Sequence, residues 1–288
     1  MTSTDYLNEQ AIQSFIDNAI QEDVGNGDQS SIASIPSDTE ATAKLHIKES
    51  GIIAGMVLAE KIFYKIDSSL IFERYVNDGD NVVKNDITFQ IRGRARSILT
   101  AERLVLNCMQ RMSGIATKTR HLLEMIKGSN ARLLDTRKTT PNFRLAEKWA
   151  VKIGGGKNHR FGLYDMIMLK DNHIDFAGGI KKAITATQKY LLETGQTLKI
   201  EIETRNLKEV EEVLDIGGVD IIMLDNMMPS EMREAIRMIA GRYITEASGG
   251  ITEQNIREVA ECGIDFISAG VLTHSFKSLD LSLKATSV

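Results

Sequence analysis

LLDTRKTTPNFRLAEKWAVKIGGGKNHRFGLYDMIMLKDNH, residues 133 to 173, is the stretch whose reading decides the fold. A short apolar run, Ala131 to Leu134, stops at Asp135 and opens into Thr136, Arg137, Lys138, Thr139 and Thr140, a polar cluster too dense for one outer face of a strand. That pattern is a strand emptying into a functional loop. A helix is predicted from about Leu145 to Ile153, followed by Gly154 to Gly156, then Lys157, His159 and Arg160. The next apolar strand, Met166 to Leu169, ends at Lys170, Asp171, Asn172 and His173.

Working outward toward the C-terminus, the same unit recurs. Apolar strands are predicted at Leu198 to Ile202, Ile221 to Leu224, Tyr243 to Ala247 and Phe266 to Ala269, with helical segments between most of them. Asn206 with Glu209 gives one of those helices a capping-box-like start, and Thr252 is placed to cap another. Strand and helix in steady alternation mean a parallel sheet, and this many units in so short a span point to an α/β barrel. A doubly wound open sheet is the structural alternative, but no GxGxxG follows the first strand.

Toward the N-terminus the pattern changes. Leu7 to Ile20 carries an apolar helical stripe, and the acidic, glycine-rich segment after it, Glu22 to Asp28, reads as a loop. Ala41 to Glu49 alternates as a half-buried strand does, and a helix near Met56 to Ile66 precedes strands near Ile71 to Val76 and Ile87 to Arg92. These make a small α+β domain. Ala101 to Lys127 reads as helix, interrupted at Ser113-Gly114, and hands the chain to the barrel.

Bulk properties narrow the function. With 288 residues the chain has room for a barrel and a small domain. A net charge of −4 gives no general attraction to nucleic acid or anionic membrane, so any positive site is local. Cys108 and Cys262 are single and far apart, which excludes a CxxC zinc site. The start, MTSTDYLNEQ, has neither a basic n-region nor an apolar h-region, and no apolar run approaches about 18 residues. The expected location is cytoplasmic.

In such a barrel the site lies at the C-terminal ends of the strands. Those ends carry Thr136-Arg137-Lys138, Lys170, Glu201 and Glu203, Asp225, Ser248-Gly249-Gly250 and Ser268-Ala269-Gly270. Two like charges ~4 Å apart repel by about 4 kcal/mol at an effective dielectric of about 20. Gathering Arg137, Lys138, His159, Arg160 and Lys170 in one cleft therefore calls for an anionic ligand. Glu201 and Glu203, at i and i+2, share one face of their strand; with Asp225 they are hard oxygen donors suited to Mg²⁺, which binds through one or two carboxylates plus substrate phosphates. The small residues at 248–250 and 268–270 allow backbone N–H groups to approach a phosphate, with His274 a further candidate. No activated Ser or Cys nucleophile is evident. A Schiff-base lysine, Lys170 or Lys138, stays open.

With these residues in view the chain resembles the quinolinate phosphoribosyltransferases. The likeness runs through QEDVGNGD, AERLVLNCMQRMSGIAT, LLDTRKTTP, GGGKNHR, LKDNHI, IEIET, MLDNM, EASGGI and ISAGVLTHS. Departures at Asn142-Phe143, Trp149 and Ile153 leave the charged set intact. The resemblance implies an N-terminal α/β sandwich over residues 1–112, with a C-terminal tail, 276–288, returning to it, and an incomplete α/β barrel over 113–275. It implies transfer of phosphoribosyl from phosphoribosyl pyrophosphate (PRPP) to quinolinate with decarboxylation, in a homodimer whose Arg103 serves the neighbouring site. Thr136, Arg137, Lys138, His159, Arg160 and Lys170 then surround quinolinate. Glu203, with Glu201 beside it, and Asp225 face the ribose, Mg²⁺ and pyrophosphate, and Lys138 joins them as a catalytic group. Ser248 to Gly250, Ser268 to Gly270 and His274 hold the 5′-phosphate. Rivals are a nicotinate phosphoribosyltransferase or one for another pyridine-like acceptor, a Schiff-base aldolase or decarboxylase on a phosphorylated sugar, and a metabolite-binding or scaffold protein on a degenerate barrel.

Overall fold

The computed structural model describes residues 4–286, so the first three residues of the MTSTDYLNEQ reading and the last two of the expected tail lie outside it. Two compact units divide the chain. One comprises His121–Lys138 and Gly156–Val271; the other runs up to Arg120 and takes in Thr139–Gly155 and the chain from Leu272 onward.

In the second of these, helices α1 (Glu9–Asp23) and α2 (Gln29–Ser34) precede strand β1 (Glu40–Ile47). There follow β2 (Gly51–Ile52), α3 (Met56–Ile66), β3 (Ile71–Arg74), β4 (Asn81–Val82) and β5 (Ile87–Arg94). Asp28, in the acidic loop, caps α2 by accepting the Ser31 N–H. The last strand of the chain, β12 (Leu281–Thr286), pairs antiparallel with β1, giving a four-stranded sheet of order β12-β1-β5-β3. Alternation on β1 holds: Ala43, Leu45 and Ile47 are buried. Phe63 and Phe89 are the largest fully buried side chains, and their rings meet edge-on at 5.9 Å.

Helix α4 (Ala95–Met125) runs without a break. The expected interruption at Ser113-Gly114 is therefore corrected. Ser113 is fully buried and its hydroxyl accepts the Ala54 N–H at 2.9 Å. Gly114 lies against the Lys277 carbonyl. The small pair is a packing surface for two other segments, which a sequence pattern reads as a break because neither residue favours a helix interior.

The other unit holds the parallel sheet. Its strands are β6 (Arg132–Leu134), β7 (Ile167–Leu169), β8 (Ile200–Thr204), β9 (Ile221–Asp225), β10 (Ile244–Ser248) and β11 (Phe266–Ser268). All the pairings are parallel and the order is β6-β11-β10-β9-β8-β7. The first strand thus pairs with the last, as in a barrel, while β6 and β7 do not pair. Into that gap comes the segment at Lys157, which bridges Leu134. The result is the incomplete barrel expected from the sequence. After β6, helix α5 (Arg144–Ile153) belongs to the unit of the antiparallel sheet; α6 (Asp171–Ala177), α7 (Ile180–Thr194), α8 (Leu207–Ile216), α9 (Pro229–Ile239) and α10 (Ile256–Ala260) alternate with the strands, and α11 (Val271–His274) follows β11. The Asn206 cap is present, its side chain accepting the Glu209 N–H. Among the described residues no helix is long and apolar enough to cross a membrane.

Replacing Gly114 by Ala tests the reading of α4. In an open helix interior that change stabilises by about 1 kcal/mol; here the new methyl meets the Lys277 carbonyl, so destabilisation by about 1–3 kcal/mol is expected. A lowered midpoint in thermal unfolding followed by circular dichroism bears this out, and a raised one refutes it.

Candidate functional site

Strand parity builds the site. Register joins Glu203 to Met223 and Met223 to Glu246, and joins Glu201 to Ile221 and Ile221 to Ile244, so these side chains line one face of the sheet. Ile202, Ile222 and Leu224, on the opposite face, are fully buried toward the helices. Beside the carboxylates, Met168 and Ile221 at the level of Glu201 and Met223 at the level of Glu203 and Glu246 pack with Met166 as an apolar cluster. Strand β8 extends through Thr204, two residues beyond the expected end, which places Glu203 inside the strand and fully inward.

Cations gather over this face. Arg160 is buried, and its guanidinium donates to the Met166 carbonyl at 3.1 Å. Its basicity is reduced first by burial and next by the charge of Arg137, while Glu201, Asp165 and Glu203 act the other way. Those causes locate Arg137 and the carboxylates around it. Asp165 also fixes the loop after Arg160, accepting the Phe161 and Gly162 N–H groups at 2.6 and 3.0 Å. Lys170 forms an ion pair with Glu203 and keeps its side chain 45 % exposed. Its own N–H donates to His173 Nδ1 at 3.0 Å, so His173 pins the start of α6. Lys138 is exposed at the end of β6, its N–H donating to the Thr136 hydroxyl at 3.0 Å.

His159 is the hub of the buried part. Its Nε2 lies 3.0 Å from Glu201 Oε2 and 3.4 Å from Glu246 Oε2, and all three residues are at most 7 % exposed. Burial alone would lower the ring's pKa, but the two carboxylates outweigh it and raise it to about 10. Glu201 is raised to about 7, first by burial and then by the charge of Glu246. A raised ring pKa would put protons on both nitrogens, yet Nδ1 accepts the Arg160 backbone N–H at 2.7 Å. The backbone contact decides between them, because that N–H has no other protonation state and needs a lone pair to meet. The ring therefore carries its proton on Nε2, and any further proton resides on the carboxyl pair. His159, Glu201 and Glu246 form the one three-residue group with metal-ligand spacing among the described residues. A metal on Nε2 would force a proton onto Nδ1 against the Arg160 N–H, so the group is read as a cluster at ion-pair distance.

Two further side chains support the segment. Asp135, fully buried at the end of β6, accepts the His159 N–H at 2.9 Å and the Asn158 amide at 2.6 Å. Neither Asp135 nor Glu246 was singled out from the sequence. The i, i+2 parity that marked Glu201 and Glu203 also marks Glu246 and Ser248 on β10, and was the signal available.

Asp225 ends β9 in register with Ser248, and Asn226 donates to its Oδ2 at 2.8 Å. It lies on the same face as Glu203, one strand over and two residues on, a spacing of about 7–8 Å between Cα atoms. That separation suits an ion held chiefly by substrate phosphates and touched by one or two carboxylates, and does not suit a closed protein cage. Gly249 and Gly250 have φ of +84° and +60°, and a Cβ on Gly249 would strike the Asn226 side chain. Next to this turn Ser268 Oγ is buried without a hydrogen-bond partner, and Ala269 N–H continues the ladder to the Leu134 carbonyl. An orphaned hydroxyl beside two small-residue turns fits an anion cradle. Arg103, exposed on α4, and His274, exposed with Nδ1 2.7 Å from the Ser275 hydroxyl, belong to the other unit. The other sequence-predicted residues lie in the barrel unit.

An incomplete α/β barrel with cations above buried carboxylates and small-residue turns on neighbouring strands is the framework of a protein that binds phosphate and carboxylate together. Family comparison makes the class specific. Residues 28–113 match the quinolinate phosphoribosyl transferase N-terminal domain and residues 115–284 its C-terminal domain, and the chain belongs to that family. It is 48 % identical over 281 residues to quinolinate phosphoribosyltransferase [decarboxylating] 2b, mitochondrial, of Nicotiana tabacum, covering 92 % of this chain and 80 % of that protein. With the probable nicotinate-nucleotide pyrophosphorylase [carboxylating] of Bacillus subtilis it shares 38 % identity over 97 % of this chain and 95 % of that one. The crystal structure of NadC from Streptococcus pyogenes superposes with a TM-score of 0.91 at 41 % identity, covering 99 % of both chains.

Converting Asp135 to Asn replaces an acceptor of two N–H groups by a side chain with its own N–H donors. A loss of about 1–3 kcal/mol is expected from leaving buried donors unmatched. Urea unfolding measures it, and a midpoint equal to that of the unaltered protein would show that the contact contributes nothing.

Proposed function

We propose that this protein transfers the phosphoribosyl group of PRPP to the ring nitrogen of quinolinate and releases the 2-carboxylate as CO₂, giving nicotinate mononucleotide and pyrophosphate. The observation that carries this is the crowding of Arg137, Arg160 and Lys170 around one inward face of a chain whose net charge is −4. A dicarboxylate supplies two negative charges to that pocket; a monocarboxylate such as nicotinate leaves more of the positive charge unmatched. The names carried by the tobacco and Bacillus relatives describe the same reaction.

In this reading Thr136, Arg137, Lys138, His159, Arg160 and Lys170 surround quinolinate, and the exposed Arg103 is supplied by a second copy of the chain. Glu203 and Asp225, with Glu201 beneath, face the ribose. Ser248 to Gly250 and Ser268 to Gly270 hold the 5′-phosphate, joined by His274. The pyridine nitrogen attacks the anomeric carbon as its bond to pyrophosphate breaks. Positive charge developing on the ribose is met by the Glu203 and Asp225 carboxylates, and negative charge on the departing oxygen by Lys138. Bound with the pyrophosphate, Mg²⁺ supplies further charge neutralisation for the leaving group, and the half-exposed Asp225 with its neighbour Glu203 are the groups that would touch it. The pyridinium then acts as the electron sink. The bond from C2 to the carboxylate breaks, CO₂ leaves, the electron pair remains at C2 and a proton takes its place. Positioning and electrostatics suffice without a covalent intermediate.

Lys170 is ion-paired and half in solvent, which is unlike the desolvated amine of a Schiff-base enzyme. Cys108 and Cys262 are buried free thiols, which suits the reducing cytoplasm as the compartment.

Incubation with quinolinate, PRPP and Mg²⁺, beside a parallel reaction with nicotinate, is expected to give mononucleotide and CO₂ from quinolinate alone. Product from nicotinate only, or from neither, sinks the assignment. Lys138→Ala is expected to lower kcat by about 100-fold or more, the scale of losing one transition-state charge contact, with an unchanged circular dichroism spectrum; undiminished turnover would remove Lys138 from the mechanism.

A further inference from the structure

Glu246 is assigned to neither substrate, yet it is fully buried and faces inward from β10. A carboxylate is costly to bury unless paired, and among the described residues the oxygens of Glu246 and Glu201 make no hydrogen bond, their polar neighbour being His159 Nε2. The geometry links it to the dicarboxylate pocket in three contacts. Glu246 Oε2 faces His159 Nε2 at 3.4 Å; His159 Nδ1 receives the Arg160 N–H at 2.7 Å; and the Arg160 guanidinium is anchored on the Met166 carbonyl at 3.1 Å.

The imidazole ring has two orientations related by a half-turn. Only one puts a lone pair against the Arg160 N–H and an N–H against the carboxylates; the flipped ring presents carbon to both. With a single acceptor the Nε2–H could swing aside. Glu201 and Glu246 reach the same Nε2 from adjacent levels of two strands, so two carboxylates face that one nitrogen. Asp135 fixes the same residue through its backbone N–H.

We propose that Glu246 is a positioning residue for the quinolinate pocket: with Glu201 it locks the His159 ring, which in turn holds the backbone of Arg160 and sets where its guanidinium meets the substrate. This rests on the assignment of Arg160 to quinolinate. The role is distinct from catalysis because Glu246 touches neither substrate nor reacting atoms.

Glu246→Met keeps the side-chain length and removes the acceptor, whereas Glu246→Gln keeps one acceptor oxygen. Glu246→Met is expected to raise KM for quinolinate by about tenfold or more, the scale seen when a group orienting a ligand-contacting residue is lost. Its kcat and its KM for PRPP stay within about twofold, a difference under 0.5 kcal/mol. Glu246→Gln restores most of the loss. In a His159→Phe background Glu246→Met adds no further rise, since the two act through one path. A quinolinate KM like that of the unaltered enzyme, a fall in kcat alone, equal damage from Met and Gln, or multiplying losses in the double variant would each overturn the proposal. Should Glu246→Met not fold, ¹⁵N spectra of the unaltered protein decide. One protonated and one bare ring nitrogen on His159 are expected, with the protonated nitrogen's resonance shifting in Glu246→Gln while the other stays bare; a doubly protonated ring, or a protonated nitrogen indifferent to the change, overturns it. Failure of the functional reading is separate, because there the unaltered protein shows no turnover of quinolinate while the ring spectra still report the Glu246 contact.

Discussion

Several cations at one end of a parallel sheet have to be held there against their mutual repulsion, and most of the barrel's polar architecture answers that requirement. Arg160 has lost much of its water, and Arg137 adds to the cost of its charge. The compensation comes from below, from Glu201 and Glu203 pointing inward on β8. Lys170 shows the same arrangement at the rim, where Glu203 takes its charge but leaves the lysine half in solvent. The pocket is thus neutralised underneath and open to an anion above. In the proposed reading a dicarboxylate ligand completes the upper half of that balance.

The vertical layering follows from the geometry of a strand. On β8 the isoleucines face the helices and the glutamates the interior, so a sequence as polar as IEIET is buried throughout. Between the glutamates on neighbouring strands, methionine and isoleucine fill the same levels of the interior. The gap between β6 and β7 has a use as well. It admits the Lys157 segment, which brings His159 and Arg160 inside the curve of the sheet, where a seventh strand would have displaced them.

Much of this was legible in the sequence because it depends on local periodicity. The six parallel strands, the inward pair on β8, the small-residue turns after β10 and β11 and the Asn206 cap all appear as patterns within a few residues. Ser113-Gly114 misled because both residues weaken a helix locally, and only a tertiary partner, Lys277, explains their presence inside one. Glu246 was missed for a related reason. In the string EASGGI its parity is visible, but the fact that it shares a proton donor with Glu201 depends on His159 arriving from about forty residues before Glu201 along the chain. The family resemblance supplied Arg103, whose place on an exposed helical face carries no local signature of a role.

A buried acid pair is a poor device for stability alone. Apolar residues of similar size in the same space are often equally stable or more so, since two carboxylates lose their water for a single imidazole N–H. What an apolar pair cannot do is choose between the two orientations of an imidazole ring. Glu201 and Glu246 make that choice for His159, and the choice propagates because the ring's other nitrogen is bonded to the backbone of the next residue, Arg160. The buried charge is therefore best understood as a cost borne for direction: it converts a flexible hub into a fixed one directly behind the Arg160 guanidinium.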